Sequence, residues 1–173
     1  MITHRNSGWI WVALGGGALL LMGGGTAVAS IYSGNSNKSK YLPVAQSAAS
    51  QYGIPWQLLA AQIQQESAWN PSVISSAGAI GISQFEPSTA SSIGVNPYNP
   101  YSAIPGMAEL MSQYHNQYGS WQEALAAYNA GPEAVDQSLQ QQSNYGGYWL
   151  DYLPSQTQNY VPKIIANSGL VLT

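Results

Sequence analysis

Charge is what this sequence lacks most. Only 6% of its 173 residues are Asp, Glu, Lys or Arg, against about 25% in an ordinary soluble protein. Cysteine is absent, which excludes a disulfide framework and thiolate chemistry. Two histidines far apart, His4 and His115, and no Cys give no basis for a zinc site, so no metal is expected. Positive charge is scarcer still. Beyond residue 40, where all seven acids lie, the only basic residue is Lys163. A nucleic-acid surface needs the opposite balance, so nucleic acid is excluded as a partner. What is present is apolar residues at 45%, enough for a core, with Gln, Asn, Ser and Tyr supplying polarity. That is not the composition of a charged disordered chain. It suits a neutral, hydroxylated ligand, and equally an acidic working medium.

No charge occurs between Arg5 and Lys38, and residues 9–32 are mostly apolar or glycine. The stretch is long enough to span a bilayer as a helix. Trp9, Trp11 and Tyr32 sit where interfacial aromatic belts form. A cleavable signal peptide is the competing reading, with Arg5 as a short basic start and Ala27-Val28-Ala29 before Ser30 as the cleavage site. Either way residues 41–173 lie outside the cytoplasm. The organisation expected is a short tail (1–8), a transmembrane anchor or signal segment (9–32), a polar linker (33–40) and one domain (41–173).

That domain reads as helical. Short helices are expected over residues 44–52 and 87–93, and a longer one from about Pro55 to Trp69. Residues 75–85 read as a loop or short β-like excursion. Amphipathic helices follow around 104–114 and 121–128, the second stopped by Gly131-Pro132. Residues 141–154 read as an aromatic loop, before a last helix over about 156–167 kinked at Pro162.

Glu66 lies near the end of the Pro55–Trp69 helix, in Gln64-Gln65-Glu66-Ser67-Ala68-Trp69-Asn70-Pro71. Leu59, Ile63 and Glu66 share one face by their spacing. A carboxylate on an apolar face is costly. Loss of water and the negative end of the helix dipole both raise its pKa. An acid kept protonated near neutrality is what general acid catalysis requires. The alternative is an exposed Glu at a frayed helix end.

Three further stretches follow in order: SSAGAIGISQFEPSTA at 75–90, ALAAYNAGP at 124–132 and TQNYVPKI at 157–164. With the Glu66 motif they resemble the SLT-type lytic transglycosylases, glycoside hydrolase family 23, over roughly residues 41–168. The resemblance implies a mainly α, lysozyme-like (goose-type/SLT) domain that cuts peptidoglycan without a cofactor. It implies that Glu66 is the single acid/base. Glu66 would protonate the MurNAc–GlcNAc glycosidic oxygen, then take the proton of the MurNAc C6 hydroxyl as that oxygen attacks its own C1. A 1,6-anhydro sugar results and no water is consumed. An internal nucleophile has a high effective concentration, unlike ordinary glycosidases, which use two carboxylates.

The resemblance further implies substrate-side roles for Ser67, Gly78, Gln84, Tyr128, Asn129 and Tyr160. For Gly78 and Gly81 the alternative is plain turn chemistry; for Tyr128 and Tyr160 it is core packing. Tyr145, Tyr148, Trp149 and Tyr152 are candidates for stacking on sugars or for filling the core. Two departures stand out. Glu86 lies where many relatives have Met, and is a possible second carboxylate for lysozyme-type hydrolysis. Gln156 and Gln158 replace a family acid and base. Three readings therefore stand: a lytic transglycosylase, a muramidase or chitinase using Glu86, and a non-catalytic glycan-binding or structural membrane protein. The partners implied are glycan strands and a membrane held through residues 9–32. The setting is a secretion, conjugation or phage-entry assembly, or wall remodelling, on the periplasmic or cell-wall side or in a virion membrane.

Overall fold

The computed structural model describes residues 27–171. Seven α-helices follow in order: α1 Ala27–Tyr52, α2 Trp56–Ser67, α3 Pro87–Ser92, α4 Pro100–Tyr118, α5 Trp121–Ala130, α6 Pro132–Tyr145 and α7 Ser155–Ser168, with a 3-10 turn at Trp149–Tyr152 before α7. Residues 73–85 carry only isolated antiparallel bridges, Ile74 with Ile80 and Ile80 with Phe85. They form the β-like excursion expected there.

Helix α2 lies between α1 and α7, and α5 touches α4, α6 and α7. Leu58, Leu59 and Ile63 of α2 are fully buried. Burying one such side chain stabilises a fold by roughly 1.5–3 kcal/mol. Tyr41, Ala45, Ala48 and Ala49 form the buried face of α1. Helix α1 reaches α4 through the Tyr41–Tyr101 edge contact, centroids 5.9 Å apart, and through the Tyr52 hydroxyl, which donates to Glu109 over 3.2 Å.

The helix ends follow from local chemistry. Asn99 caps α4 by accepting from the Tyr101 N–H at 3.0 Å, with Pro100 in the first turn. Ser120 caps α5, accepting from the Glu123 N–H at 3.3 Å and donating to its carboxylate at 3.0 Å. This Ser-x-x-Glu spacing is that of a capping box.

Four expectations need correction or limits. Residues 33–40, expected as a polar linker, lie within α1. Ser and Asn disfavour helix by only a few tenths of a kcal/mol each, and the buried face that follows anchors the same helix. Gly131-Pro132, expected as a helix stop, also starts α6. Gly131, at φ +86, closes α5 and turns the chain, and Pro132 opens the next helix. Residues 141–145, expected in an aromatic loop, are its last turn. Helix α6 buries Val135 and Ser138 and packs Ala134 and Leu139 against the core, a short stripe among Gln and Ser. Residues 9–26 of the expected membrane or signal segment lie outside the described residues. Among the described residues no helix is long and apolar enough to cross a membrane.

Candidate active site

Helix α2 delivers Glu66 to the site. Ile63 beneath it is fully buried, so the face shared with Leu59 points inward as the spacing predicts. Burial pushes the Glu66 carboxyl up from its ordinary 4.5 to about 7. A hydrogen bond from Tyr160 opposes the shift. The Tyr160 hydroxyl, on α7, donates to Glu66 Oε1. Gln62 Nε2, one turn before Glu66, donates to the Tyr160 hydroxyl over 3.2 Å. Tyr160 is itself held far towards its neutral form by burial, then by the Glu66 charge. It therefore serves as a proton donor in a hydrogen bond and not as a phenolate.

The chain leaves α2 through two successive left-handed residues, Ala68 at φ 50° and Trp69 at φ 67°. Such conformations cost free energy for residues with a Cβ. The Trp69 side chain is buried, which holds the turn in place. Ser67 is also buried, and its hydroxyl donates to Ile82 O at 2.8 Å. That bond ties the 73–85 loop to the end of α2, beside Glu66.

In that loop Gln84 is left-handed, at φ 49°. Its Nε2 donates to Gly81 O at 2.8 Å and Val73 O at 3.3 Å. Both partners are carbonyls, so the amide orientation is set, with Oε1 as its acceptor end. Gly81 has φ +72, and a Cβ there would lie 2.3 Å from Pro97 O, so the packing of the loop itself requires glycine here. Gly78, at φ +88, has open space around that direction. It serves a turn in which Ala79 N bonds Ser75 Oγ at 2.9 Å.

Tyr128 on α5 donates to Ser83 O at 2.7 Å, and its ring lies 5.8 Å from that of Phe85. Burial, followed by the charge of Glu66, keeps this phenol neutral too. Its neighbour Asn129 is buried and accepts from Thr157 Oγ1 at 2.9 Å, joining α5 to α7. Ser67 and Asn129, expected on the substrate side, thus make these bonds within the protein.

A cleft of about 630 Å³ opens beside this cluster, with Gln84, Glu86, Tyr114, Tyr128 and Glu133 on its walls. Glu66 is not among its lining residues. Tyr128 lines the cleft and also feels the Glu66 charge, which links the two. Glu86 precedes α3 and faces this cleft; burial raises its carboxyl, and a bond with Ser88 opposes the rise. Trp149 is buried in the core, whereas Tyr145 and Tyr148 are exposed. Tyr152 donates to Gly146 O at 2.7 Å. Gln156 presents a buried Nε2 without a partner.

The family model for the transglycosylase SLT domain matches residues 43–149. The chain belongs to this family. A "Transglycosylase" of Enterobacteria phage PRD1 is 35% identical over 127 residues, covering 73% of this chain and 44% of the phage protein. "Membrane-bound lytic murein transglycosylase F 1" of Alkalilimnicola ehrlichii is 37% identical over 132 residues, covering 66% of this chain and 26% of that protein. The crystal structure of the 70 kDa soluble lytic transglycosylase of Escherichia coli superposes with a TM-score of 0.65 at 29% identity, over 74% of this chain and 23% of that one. The SLT domain here therefore has the mainly helical, lysozyme-like fold expected, and the chain spans less than half the length of these relatives.

Sequence reasoning missed Gln62, Thr157 as the partner of Asn129, and Tyr114 and Glu133 on the cleft. Gln62 carried a signal. It lies four residues before Glu66, among residues that are otherwise apolar on that face. The others depend on which helices meet, and their local spacing is silent about that.

Proposed function

We propose that this SLT domain is a peptidoglycan lytic transglycosylase with Glu66 as its single acid/base. The observation that carries the reading is one carboxyl, raised to about 7 by burial and aimed by a tyrosine from another helix. In the protonated form Glu66 gives its proton to the glycosidic oxygen as the C1–O bond breaks. The carboxylate then accepts the proton of the C6 hydroxyl as O6 bonds to C1. Glu66 ends as it began, protonated, so one group closes the cycle. The Tyr160 bond stabilises the intermediate carboxylate, which burial alone would disfavour. Gln84 Oε1 and the cleft beyond Tyr128 would hold the sugar hydroxyls. Ser67 and Asn129 act behind the site, by fixing the 73–85 loop and the α5–α7 junction.

A second reading is supported by the place of Glu86 on the cleft wall. A second carboxylate there could activate water, giving hydrolysis. Mass spectrometry of products from purified sacculi separates the two. Anhydro ends from wild type and from Glu86→Gln support the transglycosylase. Reducing ends from wild type, with a dead Glu86→Gln, establish the hydrolase. We further propose that residues 9–32 hold the domain at a membrane, on its wall side. The kinship with a phage protein and with proteins named membrane-bound supports this setting.

A further inference from the structure

Gln62 is wholly buried at the centre of the molecule, where an apolar side chain would pack without any polar penalty. Its Nε2 donates to Tyr160 Oη at 3.2 Å and to Met111 Sδ at 3.5 Å. Its Oε1 is buried with no partner. A buried acceptor without a partner destabilises the fold. Gln62 is therefore a poor choice for stability alone.

The geometry gives it another use. A tyrosine hydroxyl has one proton and can donate once. With Gln62 Nε2 donating to its oxygen, that proton has one remaining acceptor, Glu66 Oε1. Were the Gln62 amide reversed, its Oε1 would compete with Glu66 for the proton. Met111 opposes the reversal, since a thioether sulfur is an acceptor only and would then face the amide oxygen. The chain of contacts thus runs in one direction: Met111 orients Gln62, Gln62 orients Tyr160, and Tyr160 donates to Glu66. We propose that Gln62 is a positioning residue of the active site, committing the Tyr160 proton to Glu66 and so setting the proton affinity of the catalytic acid.

The inference rests on Glu66 as the acid/base. Of the titratable groups around it, Tyr160 from α7 and Tyr128 from α5 interact with its carboxyl. The other titratable groups on the elements packed against α2 and its loop are Glu86 before α3, Lys163 on α7, and Lys38, Lys40, Tyr41 and Tyr52 on α1; the shift of Glu66 comes from burial and the Tyr160 bond. Donation to Tyr160 makes its hydroxyl a stronger donor and favours the Glu66 carboxylate. Removing Gln62 should therefore raise the Glu66 pKa further.

The test is a carboxyl ¹³C NMR titration of the full-length chain labelled at glutamate, which needs no activity. Gln62→Met keeps the length and removes both the donor and the stranded acceptor. It should titrate at Glu66 roughly 0.3–0.5 pH unit above wild type, a fraction of one charge-assisted bond. Tyr160→Phe should titrate higher still, and Gln62→Met should then add nothing. The melting temperature of Gln62→Met should equal or exceed that of wild type, which shows that the core has kept its packing. An unshifted Glu66 in Gln62→Met, or an equal shift with and without the Tyr160 hydroxyl, overturns the proposal. Glycan cleavage by Glu66→Gln is measured alongside. Activity retained there removes the reading beneath. A dead Glu66→Gln with no Gln62 effect removes only this inference.

Discussion

At the scale of the residue, Glu66 opposes folding and supports chemistry. Its folded pKa, about 7, exceeds the ordinary 4.5, so the folded state holds the proton more tightly. Its contribution to stability is complete below pH 4.5 and is lost as pH rises through 7. Across that window the loss is about 3 kcal/mol. Glu66→Gln keeps the shape and removes the titration. It should match wild type in thermal stability at pH 4 and exceed it by up to about 3 kcal/mol at pH 8, while abolishing release of muropeptides from sacculi. Denaturation curves at the two pH values check the first part. A variant no more stable at pH 8 than wild type would show that the carboxyl is solvated. Activity has the same sign. The general acid must be protonated, so kcat/KM should be level below about pH 6 and fall near tenfold per unit well above 7. A turbidity assay across pH 5–9 reads that limb directly; a rate still rising past pH 8 would contradict it.

At the scale of the element, the 73–85 loop is held at three places: by Ser67 from α2, by Tyr128 from α5, and by the approach of Gly81 to Pro97. Gly81→Ala meets two obstacles. Its φ of +72 disfavours a Cβ, and that Cβ would meet a backbone oxygen at 2.3 Å. Backbone cannot swing aside as a side-chain tip can, so the loop must shift. The expected result is a loss of about 2 kcal/mol or more and a fall in activity larger than stability explains, because Gln84 and Ser83 move with the loop. Gly78→Ala is the control. It has the same sign of φ but open space, so it should cost less and leave kcat nearly intact. Equal effects of the two substitutions would show that φ alone matters.

At the scale of the whole molecule, the described residues form an acidic, lightly charged domain following a long uncharged segment. A membrane anchor and a cleaved signal differ in a single measurement, the intact mass of the product expressed in a host that exports it. The full mass in the membrane fraction is expected. A soluble chain starting at Ser30 would establish the signal. Charge is sparse over this domain. If recognition is by hydroxyls and amides, glycan cleavage should vary little between low and moderate salt, where a binding surface built on phosphate contacts would lose orders of magnitude in affinity. A steep fall with salt would point to charged groups as the recognition element.

Local chemistry made much of this legible in the sequence. The α2 face was readable because a helix repeats every 3.6 residues, so Leu59, Ile63 and Glu66 declare their common side. The turn chemistry of residues 75–85 is likewise a short-range effect. Helix α6 was missed, because its stripe of Ala134, Val135, Ser138 and Leu139 is short and small beside the many Gln and Ser around it. The acidity of Glu66 was foreseen in direction from its apolar face. Its tuning by Tyr160 and Gln62 was not, since the Tyr160 partner lies 94 residues away. Ser67 and Asn129 show the same limit from the other side. Their motif placed them at the site, but only the packing of α2 on the loop and of α5 on α7 turned their polar groups towards the protein. By itself the sequence determined most of the helices and put Glu66 on an apolar face. Only the tertiary structure decided which donors meet that carboxyl, because hydrogen-bond partners are chosen by distance in space and not by separation along the chain.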